Sequence, residues 1–158
     1  MRVKKVWLVY GANDGIGEAT VKFLMLKGQQ VVAITPPGEL TELSHNPVPD
    51  QRLLDVYDEP QTESTVKQIL HQYGSIDWLI NNGNSGLLNS HVLSVMQEAG
   101  NGHIIQLTER KKYSGILSQG LPTEEEPTER EDHGVRITII GPDTFYHSLL
   151  SLTQDNQS

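Results

Sequence analysis

The sequence lacks cysteine, is poor in aromatic residues and contains no long apolar run. Its 158 residues include no cysteine, two tryptophans and two phenylalanines. Without thiols, the chain cannot form disulfide bonds, thiolate metal sites or a cysteine nucleophile. Aliphatic and aromatic residues make up only 36% of the chain, which is low for a fold with a buried parallel sheet. We therefore expect a small or partly ordered core.

Positive charge is scarce as well. The chain carries 12 Lys and Arg against 20 Asp and Glu, which gives a net charge of −8. Because nucleic acids and anionic membranes are bound through clustered Lys and Arg, we expect neither as a partner. The apolar segment 6–10 is too short for a signal peptide or a membrane span, so we expect a cytoplasmic protein. No two of the six histidines have the helical spacing that grips a metal ion, and we expect no metal site.

Strand-like and helix-like patterns alternate along the chain. Helical spacing of apolar residues predicts a helix ending near Gly28 and another from Asp58 to Gly74, with shorter helices at 92–96 and 145–152. Segment 39–51 is a short helix or a loop. Short apolar runs predict strands at 3–10, 31–35, 53–56, 78–82, 102–108 and 135–140. This alternation predicts a single α/β domain over residues 1–158, a Rossmann-like three-layer open sheet of about six mostly parallel strands.

Residues 118–133 form the most polar stretch of the chain. They include two prolines, five glutamates and Asp132, with almost no apolar residue. We interpret this stretch as a solvated loop within the domain, and the alternative is a functional acidic patch.

A glycine cluster joins the first predicted strand to the first predicted helix. Residues 11–17 read Gly-Ala-Asn-Asp-Gly-Ile-Gly. In this context glycines allow a tight turn and let backbone N–H groups approach a diphosphate at the positive end of the helix. Plain packing of the strand against the helix is the alternative. The candidate cofactor-binding residues in the cluster are Gly11, Asn13, Asp14, Gly15, Ile16 and Gly17.

The spacing G-x-x-x-G-x-G, with Ile16 between the last two glycines, resembles the short-chain dehydrogenase/reductase family. Two further motifs follow in the family's order. Asp55 and Val56 are similar to the adenine-contacting position after its third strand. Asn82 and Gly83 are similar to part of the Asn-Asn-Ala-Gly motif that ends its fourth strand. The resemblance implies that these four residues also contact the cofactor.

The resemblance continues through 102–108 and 134–138, covers roughly residues 3–146, and implies that NAD or NADP is bound. The residues after the second strand are prolines at 36–37. Neither an acid for a ribose 2′-hydroxyl nor an Arg for a 2′-phosphate stands there. Asp14 in the glycine loop would repel a 2′-phosphate, so the sequence favours NAD.

The resemblance also implies the chemistry, which is hydride transfer between nicotinamide and a carbonyl or alcohol. The family uses a Tyr as acid/base, a Lys four residues later, and a Ser and an Asn nearby. Tyr113 matches the Tyr, with Thr108 and Lys112 as assisting residues. Leu117 stands where the Lys is expected and Glu109 where the Ser is expected. The Lys matters because a free tyrosine has a pKa of about 10, which a nearby cation lowers.

The stretch 85–101 between the fourth and fifth strands is shorter than the resemblance requires. The segment that carries the family's catalytic Asn and much of its dimer interface therefore looks deleted. No counterpart of the family's last strand or of its substrate-covering loop is found either.

We expect a dinucleotide and a small-molecule substrate as partners, and no oligomer. The expected function is NAD(P)-dependent oxidoreduction of a small carbonyl or alcohol. The alternatives are a catalytically inactive dinucleotide-binding protein and a truncated gene product that folds only marginally.

Overall fold

A computed structural model of the protein describes residues 4–12, 15–37, 50–83, 86–108 and 128–157. Seven strands and four helices are found in these residues. None of these helices combines the length and the apolar character needed to cross a membrane. In chain order the elements are β1 (Val6–Tyr10), α1 (Gly15–Leu26), β2 (Gln30–Thr35), β3 (Gln51–Leu53), α2 (Glu59–Tyr73), β4 (Trp78–Asn81), α3 (Gly86–Ala99), β5 (Gly102–Leu107), β6 (Thr128–Asp132), β7 (Val135–Ile140) and α4 (Pro142–Gln157).

The seven strands form one sheet in the order β3-β2-β1-β4-β5-β7-β6. All neighbouring pairs are parallel except β6 and β7, which are antiparallel. The chain leaves β1 towards β2 on one side and later returns to β4 on the other side. In open α/β sheets, ligands bind outside the carboxyl ends of the strands at such a reversal. The predicted Rossmann-like architecture is therefore confirmed.

The core lies in two apolar clusters, one on each face of the sheet. On one face, α2 and α3 cover a cluster that includes Leu8, Val66 and Met96. On the other face, α1 and α4 cover a cluster that includes Trp7 and Phe145. Burial on both faces explains why the central strands read as continuous apolar runs rather than alternating patterns.

The ends of α2 follow the predicted signals. The Asp58 side chain accepts a hydrogen bond from the backbone N–H of Gln61 at 3.1 Å, and Pro60 occupies the first turn. Gly74 ends the helix in the left-handed conformation, with φ of 86°. These caps satisfy backbone groups that the helix itself leaves unpaired.

The predicted loop at 118–133 is wrong for its last part, because Thr128–Asp132 forms β6. The five residues Thr-Glu-Arg-Glu-Asp have no apolar alternation, since β6 is an edge strand with almost no burial. A tight turn through His133 (φ 52°) and Gly134 (φ 86°) holds it against β7. Two-residue turns in which both φ values are positive are favoured in hairpins, and they usually contain Asn-Gly or Asp-Gly. The pair His133-Gly134 lacks that signal, so the sequence did not indicate the turn. Residues 118–127 lie outside the described part of the chain.

Several element boundaries also differ from the predictions, among them the start of β1, which is Val6 rather than residue 3. The third strand is Gln51–Leu53 rather than 53–56, because Leu54 and Val56 are buried in the core after the ladder has ended. The helix predicted at 92–96 extends over Gly86–Ala99. The terminal helix begins at Pro142, three residues before the predicted 145. Most of segment 39–51 lies outside the described residues.

Candidate functional site

The glycine cluster forms a tight turn between β1 and α1. Gly11 has φ of 78°, and its N–H donates to the carbonyl of Ile34 on β2 at 2.9 Å. Gly15, the first residue of α1, has φ of 49°. Positive φ values cost little only for glycine. The glycines at both positions are thus required by the path of the backbone.

Gly17 and Gly11 allow the backbone segments to approach one another. A Cβ atom on Gly17 would lie 2.0 Å from the carbonyl oxygen of Gly11. A Cβ atom on Gly11 would lie 2.5 Å from the carbonyl oxygen of Asn82. Gly15 differs, because a Cβ atom there would meet nothing within 4 Å. The first and last glycines therefore serve packing of the turn, while the middle one faces open space.

The residues that follow β4 are tied to the glycine turn. The Asn82 N–H donates to the Tyr10 carbonyl at 3.0 Å, and its side-chain Nδ2 donates to the Gly11 carbonyl at 3.2 Å. A Cβ atom on Gly83 would lie 2.6 Å from the Tyr10 ring. The two predicted motifs therefore meet as one unit at the carboxyl ends of β1 and β4.

A cleft of about 800 Å³ opens beside this unit. Its volume falls in the range of about 300–1,000 Å³ that is usual for small-molecule sites. Its lining combines the start of α1, the loop after β4 and the first turns of α4. The lining residues are Gly15, Ile16, Ala19, Asn82, Pro142, Asp143, Tyr146 and His147.

Two residues of α4 that line the cleft, Tyr146 and His147, are not among the site residues predicted from the sequence. Asp143, Tyr146 and His147 have the i, i+3, i+4 spacing of one helix face, and the helix begins directly after β7. That spacing, together with the rule that ligands bind at carboxyl ends of strands, could have identified them.

Asp55 and Val56 follow β3 and lie outside the lining of the cleft. Val56 is buried in the core. The Asp55 carboxylate is exposed and accepts a hydrogen bond from the Tyr57 N–H at 3.0 Å, while the Asp55 N–H donates to Gln61 Oε1 at 2.7 Å. The aspartate is thus held in a fixed position at the carboxyl end of β3, two strands from β1.

Of the three predicted catalytic residues, the structure describes Thr108. It follows β5, and its N–H donates to the Ile140 carbonyl at 3.0 Å. Its hydroxyl oxygen is buried and has no hydrogen-bond partner among the residues that the structure describes. Lys112 and Tyr113, like Asn13 and Asp14 of the glycine turn, lie outside the described residues. No cluster of three or more metal-ligating side chains occurs in the described part of the chain.

The titratable groups with the clearest pKa shifts lie near the amino ends of the strands, at the opposite end of the sheet from the cleft. Burial alone would raise the pKa of Asp50, but hydrogen bonds from Arg52 and Tyr73 outweigh it and lower that pKa. Burial and the bond to Asp50 raise the pKa of Tyr73 to about 12. Burial, helped by the charge of Arg136, lowers the pKa of His103 to about 4. Since none of these groups lines the cleft, we assign them to stability.

Curated proteins with a similar sequence are oxidoreductases by name. The chain is 30% identical over 104 residues to 3-oxoacyl-(acyl-carrier-protein) reductase FabG of Thermotoga maritima, which is 60% of this chain and 40% of that protein. It is 32% identical over 81 residues to carbonyl reductase family member 4 of Xenopus laevis, covering 50% of this chain and 34% of that protein. The chain therefore spans well under two thirds of these relatives.

Solved structures share the fold. Levodione reductase superposes with a TM-score of 0.60 at 22% identity, over 75% of this chain and 60% of that one. Actinorhodin polyketide ketoreductase with NADPH superposes with a TM-score of 0.58 at 25% identity, over 72% of this chain and 56% of that one. The sequence profile of the short chain dehydrogenases matches residues 5–107, which hold the glycine turn and the loop after β4. The chain belongs to the short chain dehydrogenase family.

Proposed function

We propose that the chain binds a nicotinamide dinucleotide at the carboxyl edge of the sheet and acts as an oxidoreductase on a small carbonyl or alcohol. One observation carries the proposal. The glycine turn, the start of α1 and Asn82 meet beside a cleft of about 800 Å³ at the reversal of strand order. This is the place where open α/β sheets bind dinucleotides.

The geometry of the turn fits a diphosphate. Gly15 begins α1 with open space at its Cβ position, so a phosphate can approach the backbone there. The first N–H groups of a helix have no partner within the helix, and the helix dipole favours an anion at that end. Asn13, Asp14 and Ile16 complete the proposed loop around the diphosphate, and Gly11 and Gly17 allow its shape.

The rest of the proposed site consists of residues that follow β3 and β4, which lie on the two sides of β1. Asp55 and Val56, after β3, are proposed to contact the adenosine end, and Asn82 and Gly83, after β4, the nicotinamide end. Asp14 in the glycine turn supports NAD rather than NADP, because its carboxylate would repel a 2′-phosphate and no Arg at residues 36–37 would bind one. NADPH accompanies one structural relative and NAD⁺ another, so both cofactors are candidates.

When bound, the dinucleotide supplies hydride chemistry, and the protein supplies orientation and proton transfer. Tyr113 is proposed as the acid/base, with Lys112 as the cation that lowers the pKa of its hydroxyl. Thr108 is proposed to assist through its hydroxyl, because it lies beside Glu109, which stands where the resemblance requires a serine.

The names of the relatives support a carbonyl substrate, since they include a 3-oxoacyl reductase and a carbonyl reductase. A second function, dinucleotide binding without catalysis, is favoured by one specific observation. Leu117 occupies the position, four residues after Tyr113, where the resemblance requires a lysine.

The binding step is tested by titrating the protein with NADH and with NADPH while following energy transfer from Trp7 and Trp78 to the reduced nicotinamide. Ala19→Glu and Ala19→Gln form a matched pair, because Ala19 lines the cleft and the two new side chains differ in charge but hardly in size. We expect saturable binding that favours NADH, a weaker affinity in the glutamate variant, and a smaller change in the glutamine variant. Absence of binding up to about 1 mM, equivalent to about −4 kcal/mol, would overturn the proposal.

Turnover separates the two functions. Wild type and Tyr113→Phe are compared with small ketones, aldehydes and alcohols, after each has been shown to bind NADH. Turnover that falls by at least about 100-fold in Tyr113→Phe supports the oxidoreductase, since acid/base catalysis contributes about 10² to 10⁴. Binding without turnover of any compound supports the binding protein. Unchanged turnover in Tyr113→Phe excludes that residue as the acid/base.

A further inference from the structure

Three amide side chains form a continuous hydrogen-bond chain at the carboxyl ends of β4 and β5. Asn81 Nδ2 donates to Asn89 Oδ1 at 3.0 Å, and Asn89 Nδ2 donates to Gln106 Oε1 at 2.9 Å. The three residues come from β4, α3 and β5, and we call them the amide chain. They connect a helix to two neighbouring strands beside the proposed site.

Gln106 ends the amide chain on the backbone. Its Nε2 donates to the carbonyl oxygens of Gly83 at 2.7 Å, Leu107 at 3.1 Å and Asn81 at 3.3 Å. A primary amide nitrogen has two N–H donors, so the three acceptors share them and neither donor is left unpaired. Because Asn89 donates to the Oε1 atom, the amide of Gln106 is held in one orientation. A reversed amide would set oxygen against three carbonyl oxygens.

This arrangement fixes the residue that lines the cleft. Gln106 holds Asn81 and Gly83, which are the two neighbours of Asn82 in the chain. Asn82 lines the cleft and donates to the carbonyl of Gly11 in the glycine turn. The position of Asn82 therefore depends on a side chain that does not itself line the cleft.

We propose that Gln106 is a positioning residue for the nicotinamide half of the dinucleotide and acts through Asn82, an inference that depends on the proposed function. The order β3-β2-β1-β4-β5 separates the two halves of the ligand. The adenosine half lies towards Asp55 at β3, and the nicotinamide half lies towards the loop after β4. Loss of the Gln106 amide should weaken binding of the second half and leave the first unchanged.

The test compares the affinities of NADH and AMP in Gln106→Met and Gln97→Met by titration calorimetry. Methionine keeps the length of glutamine but has no N–H donor. Gln97 is a half-buried glutamine on α3 outside the cleft, so its variant controls for the substitution itself. We expect Gln106→Met to bind NADH about tenfold more weakly, because a tenfold change in affinity corresponds to about one net hydrogen bond. Its affinity for AMP should be unchanged. Gln97→Met should match wild type for both ligands.

A second variant, Asn89→Ala, removes the group that orients Gln106 and should show the same loss for NADH alone. It keeps the test decisive if Gln106→Met does not fold. Equal loss of AMP and NADH affinity would indicate general destabilisation and overturn the inference. Unchanged NADH affinity in both variants would overturn it while leaving the proposed function intact. If wild type binds neither ligand, the proposed function fails and the inference fails with it.

Discussion

At the carboxyl ends of the strands, which we call the carboxyl edge, neighbouring elements pack closely because glycines have no side chain. At the amino ends of the strands, the amino edge, neighbouring elements are joined by large aromatic rings and paired charges. Gly17 and Gly83 each stand where a single added carbon would overlap a neighbour. At the amino edge, Trp7 stacks on Trp78 and Trp78 on His103, both with ring centroids 4.4 Å apart. These three side chains share one register across β1, β4 and β5.

A second cluster strengthens the amino edge. Arg52 binds the Asp50 carboxylate through two nitrogens at 2.9 and 3.0 Å, and the hydroxyl of Tyr73 donates to the same carboxylate. This cluster joins the start of β3 to the end of α2. Glycine loses more backbone entropy on folding than other residues and has no side chain that could form contacts. Aromatic rings and charge-assisted hydrogen bonds, by contrast, stabilise the folded state. The difference teaches that the amino edge gains stability from side-chain contacts, whereas the carboxyl edge gives up such contacts beside the cleft.

The largest expected effect tests the amino edge. Trp7 is fully buried and stacked, so Trp7→Ala should lower the free energy of unfolding by about 3–5 kcal/mol. Trp7→Phe keeps a ring but loses the bond from Nε1 to Gln29 Oε1 and should cost less. Denaturant titration measures both. A loss under about 1 kcal/mol for Trp7→Ala would refute the assignment of stability to this edge.

The next effect tests the carboxyl edge. Gly17→Ala would put Cβ 2.0 Å from the Gly11 carbonyl oxygen, so the turn or the start of α1 must shift. Overpacking typically costs about 1–3 kcal/mol, and we expect the upper end, together with weaker NADH binding, because a backbone oxygen cannot move alone. Gly86→Ala, with open space at its Cβ position, is the control and should be nearly neutral. Equal melting curves for the two variants would show that the close approach does not constrain this turn.

The comparison also explains how much the sequence could predict. The glycine turn is a local pattern, because Gly11 to Gly17 lie within one turn between a strand and a helix. The motif at Asn82 and Gly83 is likewise local, because it directly follows an apolar strand. The glycine turn and the loop after β4 could therefore be predicted from the sequence, whereas the contact between Asn82 and Gly11 depends on the pairing of β1 with β4.

Features that depend on distant register were not accessible. The strand Thr128–Asp132 carries no apolar signal, because its stability comes from the hairpin with β7. The amide chain depends on Asn81 and Gln106 lying directly opposite each other in β4 and β5. The cleft depends on α4 packing beside α1, so the spacing of Asp143, Tyr146 and His147 could indicate a helix face but not what that face lies against.

A smaller effect concerns His103 and pH. Burial lowers its pKa to about 4, while an unfolded histidine titrates at about 6.5. Between these values the unfolded chain binds a proton that the folded chain does not, so stability is full above pH of about 6.5 and falls as the pH drops towards 4. After discounting for solvent screening of this partly exposed ring, we expect a loss of about 1–2 kcal/mol.

His103→Gln should flatten that part of the pH dependence, and His71→Gln, at an exposed position on α2, should leave it unchanged. Denaturant titrations at several pH values between about 4 and 7 measure the difference in slope. A slope that is identical in wild type and His103→Gln would assign the acid sensitivity to other groups, among them Asp50.

The smallest expected effect separates conformation from packing at the carboxyl edge. Gly15 and Gly28 both have positive φ, 49° and 75°, and both have open space at the Cβ position. Alanine at either position should therefore cost about 1 kcal/mol of stability through backbone strain alone. Only Gly15 lines the cleft, so Gly15→Ala should also weaken NADH binding, whereas Gly28→Ala should not. The two variants should lose the same stability, so they differ only in how close the substitution lies to the cleft. Equal affinity for NADH in both would therefore mean that the ligand does not approach the start of α1.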